Sequence, residues 1–251
     1  MPMNKEFRAE WTALGYSEHM GSAEVVRPPE SNVRRVYYLT STEYAISNIA
    51  LGRIKVSRFS DLNDPFELLA LRGNDAQVRN FGRLLRDEYD RTTGLICFST
   101  NWISPPLWSH YASRHHGICL GFDIPRANLA EVVYQESRVR DHLSDKSWPP
   151  SELSFELRAK LATTKFEEWA YESEARMLFP LETVAKAGGL YFKDFATDLK
   201  LAEVILGPLC DIPLARIRSL VSALHPAAVT FRSRLAWHSF SVVPMESTVD
   251  W

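Results

Sequence analysis

Short apolar runs and amphipathic segments alternate along most of the chain. Strands are predicted at RVYYL, RIKVS, GLICFST and GICLGFDI. Helices are predicted at STEYAISNIAL, which ends at Gly52, at the charged NDAQVRNFGRLLRDEYDRT, and at PPLWSHYA, which begins with two prolines. Residues 1–34 have weak periodicity and end in a segment rich in proline and polar residues, so we expect a partly ordered lead-in.

The second half of the chain repeats this alternation after a polar interruption. Residues 126–166 are polar and helical and contain the loop-like DHLSDKSWPPSE, so they are predicted to form an excursion on one side of the core. Short strands are predicted at ARMLFP, GLYFKDF, AEVILG, AAVTFR and FSVV, and one helix at IPLARIRSLVSAL. The pattern predicts an α+β fold: a single domain over residues 35–251 with a mostly β core flanked by helices.

Composition narrows the class of protein. The 251 residues are 45% hydrophobic, which is enough for a sizeable core. A formal net charge of −2 and a pI near 6.4 give no broad attraction to phosphate backbones or anionic membranes. We therefore expect chemistry on a small molecule or a protein, and no membrane partner.

The cysteines and the N-terminal sequence indicate the cellular compartment. Cys97, Cys119 and Cys210 are odd in number and lie in or beside apolar runs, which is typical of reduced thiols in a core. The sequence MPMNKEFRAEWTALGYSEHM has no apolar segment of signal-peptide type, and no later run reaches membrane-spanning length. A cytoplasmic protein is the expectation.

The stretch PPLWSHYASRHHGICLGFD concentrates aromatic and histidine side chains before a strand. His110, His115 and His116 lack the second ligand pair of a zinc site, so no metal is expected. No Gly-x-Ser-x-Gly elbow occurs, which argues against a Ser-His-Asp hydrolase. Trp108 and Tyr111 share one helix face, where they either sandwich a planar ligand or plug the core.

The segment DPFE has two interpretations. Asp64 at an N-cap, Pro65 after it and Glu67 three residues on form a capping box that predicts a helix over FELLAL. The alternative is a ligand role for Asn63 or Asp64.

A second dense stretch, KFEEWAYESEARMLFP, carries alternating charges. In a strand, Glu172, Glu174 and Arg176 would project from one face. One interpretation is a solvated face with a weak ion pair. The other is a carboxylate held near a developing cation, as when a glycosidic bond breaks through an oxocarbenium-like state.

Several motifs together resemble the bacterial domain-of-unknown-function family 2971. They are VYYLTS, RFSDLNDPFE, WSHYASRHHGICLGFD, WAYESEAR and VILG, which span roughly residues 36–210. Members of that family show a Tyr-His-Tyr-Thr-like first strand, a Leu-Asn-Asp-x-x-Glu segment, a Trp-x-x-Tyr-Ala helix and a Glu-x-Glu-x-Arg strand. The family has no assigned activity.

The order of these motifs is also similar, more distantly, to the ADP-ribosyltransferase fold. That resemblance implies split mixed sheets and NAD as substrate. It also implies a first-strand residue that holds the nicotinamide ribose, an aromatic that stacks on nicotinamide, and a late glutamate that supports the ribosyl cation. The matching positions here are Tyr38 and Thr40, then Ser99, Trp108 and Tyr111, then Glu174 or Glu172. Tyr38 stands where a histidine is usual. Its hydroxyl can still bind ribose, but the change counts against catalytic activity.

The resemblance therefore predicts an NAD-dependent ADP-ribosyltransferase-like enzyme or NAD glycohydrolase. Glu174 would hydrogen-bond the ribose, Arg176 or Arg58 would lie near the diphosphate, and His110 is a further candidate for the cleft. The acceptor, a protein or a nucleic acid, is left open. A role as a bacterial toxin or phage-defence effector is implied by the same resemblance.

Two further functions stay open. A module that binds a nucleotide or signalling molecule without chemistry could use the same cleft, and the Tyr38 substitution favours it. A protein that binds or cleaves nucleic acid would depend on local basic clusters such as NVRRV and RNFGRLLR. The negative net charge of the chain counts against this function.

Overall fold

The computed structural model describes residues 29–69, 76–138 and 153–245. The strands are β1 (Val33–Thr40), β2 (Arg53–Val56), β3 (Thr93–Ser99), β4 (Ile118–Pro125), β5 (Ala130–Glu131), β6 (Val133–Gln135), β7 (Thr164–Phe166), β8 (Glu174–Pro180), β9 (Ala185–Ala187), β10 (Leu190–Asp194), β11 (Lys200–Leu206), β12 (Val229–Leu235) and β13 (Val242–Pro244). The α-helices are α1 (Thr42–Leu51), α2 (Ala76–Thr92), α3 (Pro105–Tyr111), α4 (Phe155–Ala162) and α5 (Leu214–Leu224). Helices around a mostly β core confirm the predicted α+β class.

The chain divides into two compact units. Unit 1 takes its described residues from Met1–Gly52, Asn101–Ile124 and Leu199–Trp251, and unit 2 from Arg53–Thr100 and Pro125–Asp198. Each unit is assembled from separate stretches of sequence, so most of its packing joins residues far apart in the chain. The expectation of a single domain stays a prediction.

Unit 1 is built on a mixed sheet with the strand order β13-β12-β11-β4-β1. Strand β11 pairs parallel with β12 and antiparallel with β4. Helix α1 begins at the cap Ser41, whose hydroxyl accepts from the Tyr44 amide, and ends at Gly52, which has a left-handed φ of 60°. Both ends of this helix agree with the sequence prediction.

A partly buried arginine connects three strands of unit 1. The Arg35 guanidinium on β1 donates to both carboxylate oxygens of Asp123 on β4, at 2.8 and 3.0 Å, and to Glu203 on β11 at 2.7 Å. Burial raises the pKa of Glu203 even though Arg35 opposes that shift. Gly121 lies opposite Glu203 in the ladder, and a side chain there would press on Glu203 and Tyr37. The glycine therefore leaves room for the ion pairs.

The turn after α3 has an unusual backbone. Ser113, Arg114 and His115 have consecutive positive φ angles of 47°, 54° and 74°, a conformation that costs energy in residues other than glycine. Backbone hydrogen bonds hold the turn, among them His115 N–H to the Trp108 carbonyl at 3.1 Å. The next glycine, Gly117, lies so close to the Thr40 carbonyl oxygen that a Cβ would overlap it.

Unit 2 contains three sets of paired strands and an apolar core. Strand β8 pairs antiparallel with β3 and β5, β10 pairs antiparallel with β2 and β9, and β6 pairs parallel with β7. Helix α2 buries one face against these elements, as its amphipathic pattern predicts. The buried residues of this core include Phe59, Leu68, Phe81, Leu85, Tyr89, Leu95 and Leu161.

The predicted helix at DPFE and the predicted excursion at 126–166 both lie in unit 2. Only a single turn follows Asp64, over residues 65–68. Leu68 takes a left-handed φ of 61°, and the Glu67 side chain bonds Arg176 instead of capping the turn. The predicted helix is therefore wrong within the described residues. The excursion at 126–166 contributes β5, β6, α4 and β7 to unit 2, whereas DHLSDKSWPPSE lies outside the described residues, as do residues 1–28 of the lead-in.

None of the helices in the described ranges is both long enough and apolar enough to cross a bilayer.

The contact at Gly117 gives a test of unit 1. Gly117→Ala is expected to lower the free energy of unfolding by about 1–3 kcal/mol, because the new methyl group overlaps the Thr40 carbonyl. The control is Gly82→Ala, inside helix α2, where the nearest atom is a flexible Leu69 methyl at 3.0 Å and alanine favours the helix by about 1 kcal/mol. Urea unfolding should show a lower free energy of unfolding for Gly117→Ala and a higher one for Gly82→Ala. An equal loss in both variants would contradict the packing described.

Candidate functional site

The candidate site lies where strands β3 and β8 meet in unit 2. The antiparallel register sets Ser99 opposite Glu174 and Cys97 opposite Arg176. A 3-10 helix over Glu167–Glu172 precedes β8, and Ser173 joins the two with a left-handed φ of 46°. Glu174 and Arg176 share a strand face as predicted, but Glu172 belongs to the helix and reaches the same place by a different path.

The Arg176 guanidinium is the centre of a buried ionic network. Its side chain has no exposed surface, and it donates to both oxygens of Glu67 at 2.6 and 2.9 Å, to both oxygens of Glu174 at 2.7 and 3.1 Å, and to the Ala162 carbonyl at 2.7 Å. These contacts use all five N–H groups that an arginine carries. Arg176 therefore positions the carboxylates, and it has no donor left for a ligand diphosphate, in contrast to the role that the resemblance implied.

Lys165 joins the two carboxylates of the Glu-x-Glu motif. Its Nζ donates to Glu172 Oε2 at 2.5 Å and to Glu174 Oε2 at 3.1 Å, and it lies 3.9 Å from Glu67. The lysine side chain is almost completely buried on strand β7. Glu172 and Glu174 are thereby held together by one ammonium group.

The network confines five charged groups in a nearly dry space. Three carboxylates face two cations, so one formal negative charge is in excess. Buried charges of this kind are tolerated only when they are paired and hydrogen-bonded. The interpretation of Glu172, Glu174 and Arg176 as a solvated face is therefore wrong: all three are buried.

The pKa values respond to this environment in opposite directions. Burial by itself would raise the pKa of Glu174, but the charge and hydrogen bonds of Arg176, with Lys165, lower it to about 2. Burial raises the pKa of Glu67, because there the loss of water outweighs Arg176. Burial and the Glu174 carboxylate also raise the pKa of the Cys97 thiol well above its usual value. Glu174 is therefore ionised at every physiological pH, and Cys97 is a protonated thiol.

Three partly exposed aromatic side chains surround the network. The Tyr134 hydroxyl accepts a hydrogen bond from the Glu174 amide at 2.8 Å, and burial raises its pKa to about 12. Trp169 and Tyr171, on the 3-10 helix, have ring centroids 6.2 Å apart and tilted by 35°. The Lys165 Nζ lies 4.8 Å from the Trp169 ring centroid. The carboxylates thus have aromatic neighbours to which the sequence analysis gave no role.

The other predicted residues of unit 2 divide between the network and its surroundings. Ser99 is buried, and its hydroxyl donates to the backbone carbonyl of Glu172 at 2.6 Å, so it is next to the network through the main chain of Glu172. Asp64 is buried and accepts from the Phe66 amide at 2.9 Å, which is a local turn contact. Asn63 is exposed.

The remaining candidates lie in unit 1. Trp108 has no exposed surface, and its indole N–H donates to the Trp102 carbonyl at 2.6 Å, so in this structure it is a core residue with no face open to a ligand. Tyr38 is half-buried and Thr40 is buried on β1. His110 is exposed and Tyr111 half-buried, with ring centroids 6.3 Å apart. Tyr38, Thr40, His110 and Tyr111 stay predictions as binding residues.

The sequence analysis did not assign a site role to two residues of the network, Glu67 and Lys165, or to two of its neighbours, Tyr134 and Trp169. Glu67 was interpreted as a capping residue, although its position inside the apolar FELL was a sign of burial. Lys165 and Trp169 lie in the stretch KFEEWAYESEARMLFP, where only the glutamates and Arg176 were given roles, and Tyr134 carried no distinctive local pattern. Their importance depends on pairing between elements that are distant in the chain.

Among the described residues, no group of three or more His, Cys, Asp or Glu side chains is arranged to hold a metal ion. In the ionic network the cations Lys165 and Arg176 occupy the space between the carboxylates.

No family model, curated protein or solved structure matches this chain. The resemblances to family 2971 and to the ADP-ribosyltransferase fold therefore stay predictions from the motifs.

Removing the central cation tests the network. Arg176→Met is expected to lower the free energy of unfolding by about 3–5 kcal/mol, because buried Glu67 would lose its two hydrogen bonds to a cation and buried Glu174 would keep only its contact with Lys165. Arg83→Met, on the exposed face of helix α2, is the control and should change it by less than about 0.5 kcal/mol. The double variant Glu67→Gln/Arg176→Met should lose less than the sum of its single changes. Strict additivity in urea unfolding would rule out the described pairing.

The pH dependence of stability gives a second test. Ionised Glu174 contributes about 3 kcal/mol to the folded state, since its pKa falls from 4.5 to about 2 on folding. The contribution is complete above pH 4.5 and is lost as the pH falls toward 2. Protonation of Glu67 acts in the opposite direction, because its pKa is raised. The stability difference between wild type and Glu174→Gln should therefore shrink from pH 5 to pH 2.5, and a constant difference would contradict the lowered pKa.

Proposed function

We propose that this protein cleaves the nicotinamide–ribose bond of NAD and passes ADP-ribose to an acceptor or to water, as an ADP-ribosyltransferase-like enzyme or NAD glycohydrolase. The observation that supports the proposal is the meeting of Ser99, Glu172 and Glu174 at the adjoining ends of β3 and β8. These are the residues of unit 2 to which the ADP-ribosyltransferase resemblance assigned nicotinamide and ribose contacts. An ionised carboxylate there suits a reaction that develops positive charge.

The chemistry requires one bond to break and one to form. The electrons of the glycosidic bond leave with nicotinamide, whose ring changes from a cation to a neutral molecule, and ribose C1 becomes an oxocarbenium ion. The acceptor then attacks C1 and gives up its proton to solvent. Glu174, with a pKa of about 2, stays negative throughout and stabilises the ribosyl cation.

Neighbouring side chains take supporting roles in this proposal. Arg176 and Lys165 are positioning residues, because their donors hold Glu174 and Glu172 in place. Arg58, which is exposed and lies 3.6 Å from Asp61, is the remaining unit 2 candidate for the diphosphate. NAD is the substrate and no metal is invoked.

A second candidate function is a nucleotide-binding module without chemistry. The observation that favours it is the state of Glu174: both of its carboxylate oxygens already accept hydrogen bonds from Arg176, and one also accepts from Lys165. Two cations beside a carboxylate reduce the negative field that it offers to a substrate. The two functions differ in whether nicotinamide is released.

Release of nicotinamide from NAD by the purified full chain tests the proposal, with and without bacterial extract. Glu174→Gln is expected to reduce release by about 100-fold or more, the loss typical of removing a group that stabilises transition-state charge. Glu182→Gln, an exposed carboxylate outside the network, should retain full activity. Dependence on extract would indicate transfer to an acceptor, and release without extract would indicate hydrolysis.

Two outcomes would contradict the proposed enzyme activity. Failure of the wild type to release nicotinamide, with a melting temperature that NAD still raises, would replace the enzyme by the binding module. If NAD also left the melting temperature unchanged, both functions would fail. Because Glu174→Gln removes a buried ion pair, its folding is checked by circular dichroism, and Glu172→Gln serves as a second variant.

A further inference from the structure

The loop that joins β12 to β13 leaves two aromatic side chains in water. The exposed fraction is 81% for Trp237 and 103% for Phe240, and Leu235 at the start of the loop is 53% exposed. Large apolar groups that lie together on a protein surface usually mark a contact with a partner. The loop over residues 236–241, which we call the aromatic loop, is therefore a candidate binding surface.

The aromatic loop is held at its base by unit 1. The Ala236 amide donates to the Ser241 carbonyl at 2.9 Å, and the Val242 amide donates to the Ile103 carbonyl at 2.8 Å. The hydroxyl groups of Ser239 and Ser241 are 2.5 Å apart inside the loop. A partner would therefore meet rings on a backbone that is already ordered, which lowers the entropy lost on binding.

The chain around this loop is positively charged. Residues 212–245 include four arginines and no aspartate, glutamate or lysine, although the net charge of the whole chain is −2. Arg216 and Arg218 are exposed on helix α5. Arg232 and Arg234 lie two residues apart on β12, so they share one face of that strand. The segment therefore carries a local excess of positive charge.

Three of these arginines form a row that leads to the aromatic loop. Arg218 donates to the Thr230 carbonyl at 3.4 Å, which places its guanidinium beside β12, and Arg232 and Arg234 follow on the strand itself. Arg232 donates to two backbone carbonyls at 2.6 and 2.7 Å, and Arg234 donates to the Leu235 carbonyl at 3.3 Å. These bonds use only part of the five N–H donors that each arginine carries. A carbonyl oxygen, unlike a carboxylate, also leaves the positive charge of the guanidinium in place.

Arginines beside exposed rings fit a phosphodiester chain with unpaired bases. Forked guanidinium groups match phosphate oxygens, and aromatic rings stack on bases of any sequence. In a duplex the base faces are covered by neighbouring bases, so only a single strand offers them to Trp237 and Phe240. A lipid surface fits less well, because His238 and Ser239 lie between the two rings and would lose their water on insertion.

We infer that unit 1 binds single-stranded nucleic acid on this surface, with the arginine row on the phosphates and the aromatic loop on the bases. The inference goes beyond the proposed NAD reaction and does not rest on it, because the surface shares no residue with the ionic network of unit 2. The surface also differs from the basic cluster NVRRV, in which Arg35 is already paired with Asp123 and Glu203. DNA and RNA present the same chemistry to it, so both are tested.

Binding is measured by fluorescence anisotropy of labelled oligodeoxythymidine and oligouridine, each of about 16 nucleotides, with the purified full chain. The chain is expected to bind single strands, and the probe that binds more tightly identifies the preferred polymer. Trp237→Leu and Phe240→Leu should each weaken binding about tenfold, because each removes the ring under one base. Tyr44→Leu, which replaces an aromatic residue that is 69% exposed on helix α1, is the matched control and should bind as wild type does.

Salt dependence separates the two kinds of contact. Added salt should weaken binding, and Arg234→Gln should reduce the slope of log affinity against log salt by about 0.7, the share of one phosphate on a single strand. Trp237→Leu should leave that slope unchanged. Arg83→Gln, in the exposed basic cluster RNFGRLLR of helix α2, is the control and should change neither affinity nor slope.

Several outcomes would overturn the inference. They are failure to bind either oligonucleotide at low salt, binding that Trp237→Leu and Phe240→Leu leave unchanged, and a loss caused by Arg83→Gln instead. A duplex of the same length bound as tightly as the single strands would show phosphate contact without stacking. Vesicles of phosphatidylserine and phosphatidylcholine bound in place of the oligonucleotides would show a lipid surface, and either result also overturns the inference. Because both rings are exposed, these variants should keep the wild-type melting temperature, so a loss of binding reports the contact itself.

Discussion

A guanidinium group removed from water needs an acceptor for every N–H, because each unsatisfied donor adds to a desolvation cost of several kcal/mol. Arg176 meets this condition with two carboxylates and one backbone carbonyl. The acceptors come from the turn before helix α2, from β8 itself and from the end of helix α4, so the arginine connects three separate pieces of unit 2. Glu67 and Glu174 depend on it in turn, since neither could stay ionised in this setting without a cation.

The same arrangement determines what the site can do. Glu174 contributes to folding through the ion pairs that hold it, and it would contribute to catalysis through the charge that those ion pairs partly offset. Stability and reactivity therefore draw on one carboxylate, and a change that freed Glu174 for a ligand would weaken the fold. Lys165 binds Glu172 as well as Glu174, so it holds the second carboxylate of the motif beside the first.

Sequence patterns predicted the elements better than the site. Helix α1 could be placed at both ends, because Ser41 and Gly52 are local signals whose effect does not depend on distant residues. Trp108 could not be assigned, because a helical periodicity is the same for a ring in the core and a ring in a cleft. Glu172 was placed on a strand face because nothing local marks the left-handed Ser173, and the partners of Glu67 are visible only once the chain has folded.

The separation of Glu67 and Arg176 along the chain has a consequence for the order of folding. The two residues are 109 positions apart, with the whole Asn101–Ile124 contribution to unit 1 between them. Strands β2 and β3 and helix α2 precede β8 in the chain, so Glu67 is synthesised long before the arginine that pairs with it. Unit 2 therefore cannot close until β8 has been made, and it closes through contacts of high sequence separation that form slowly.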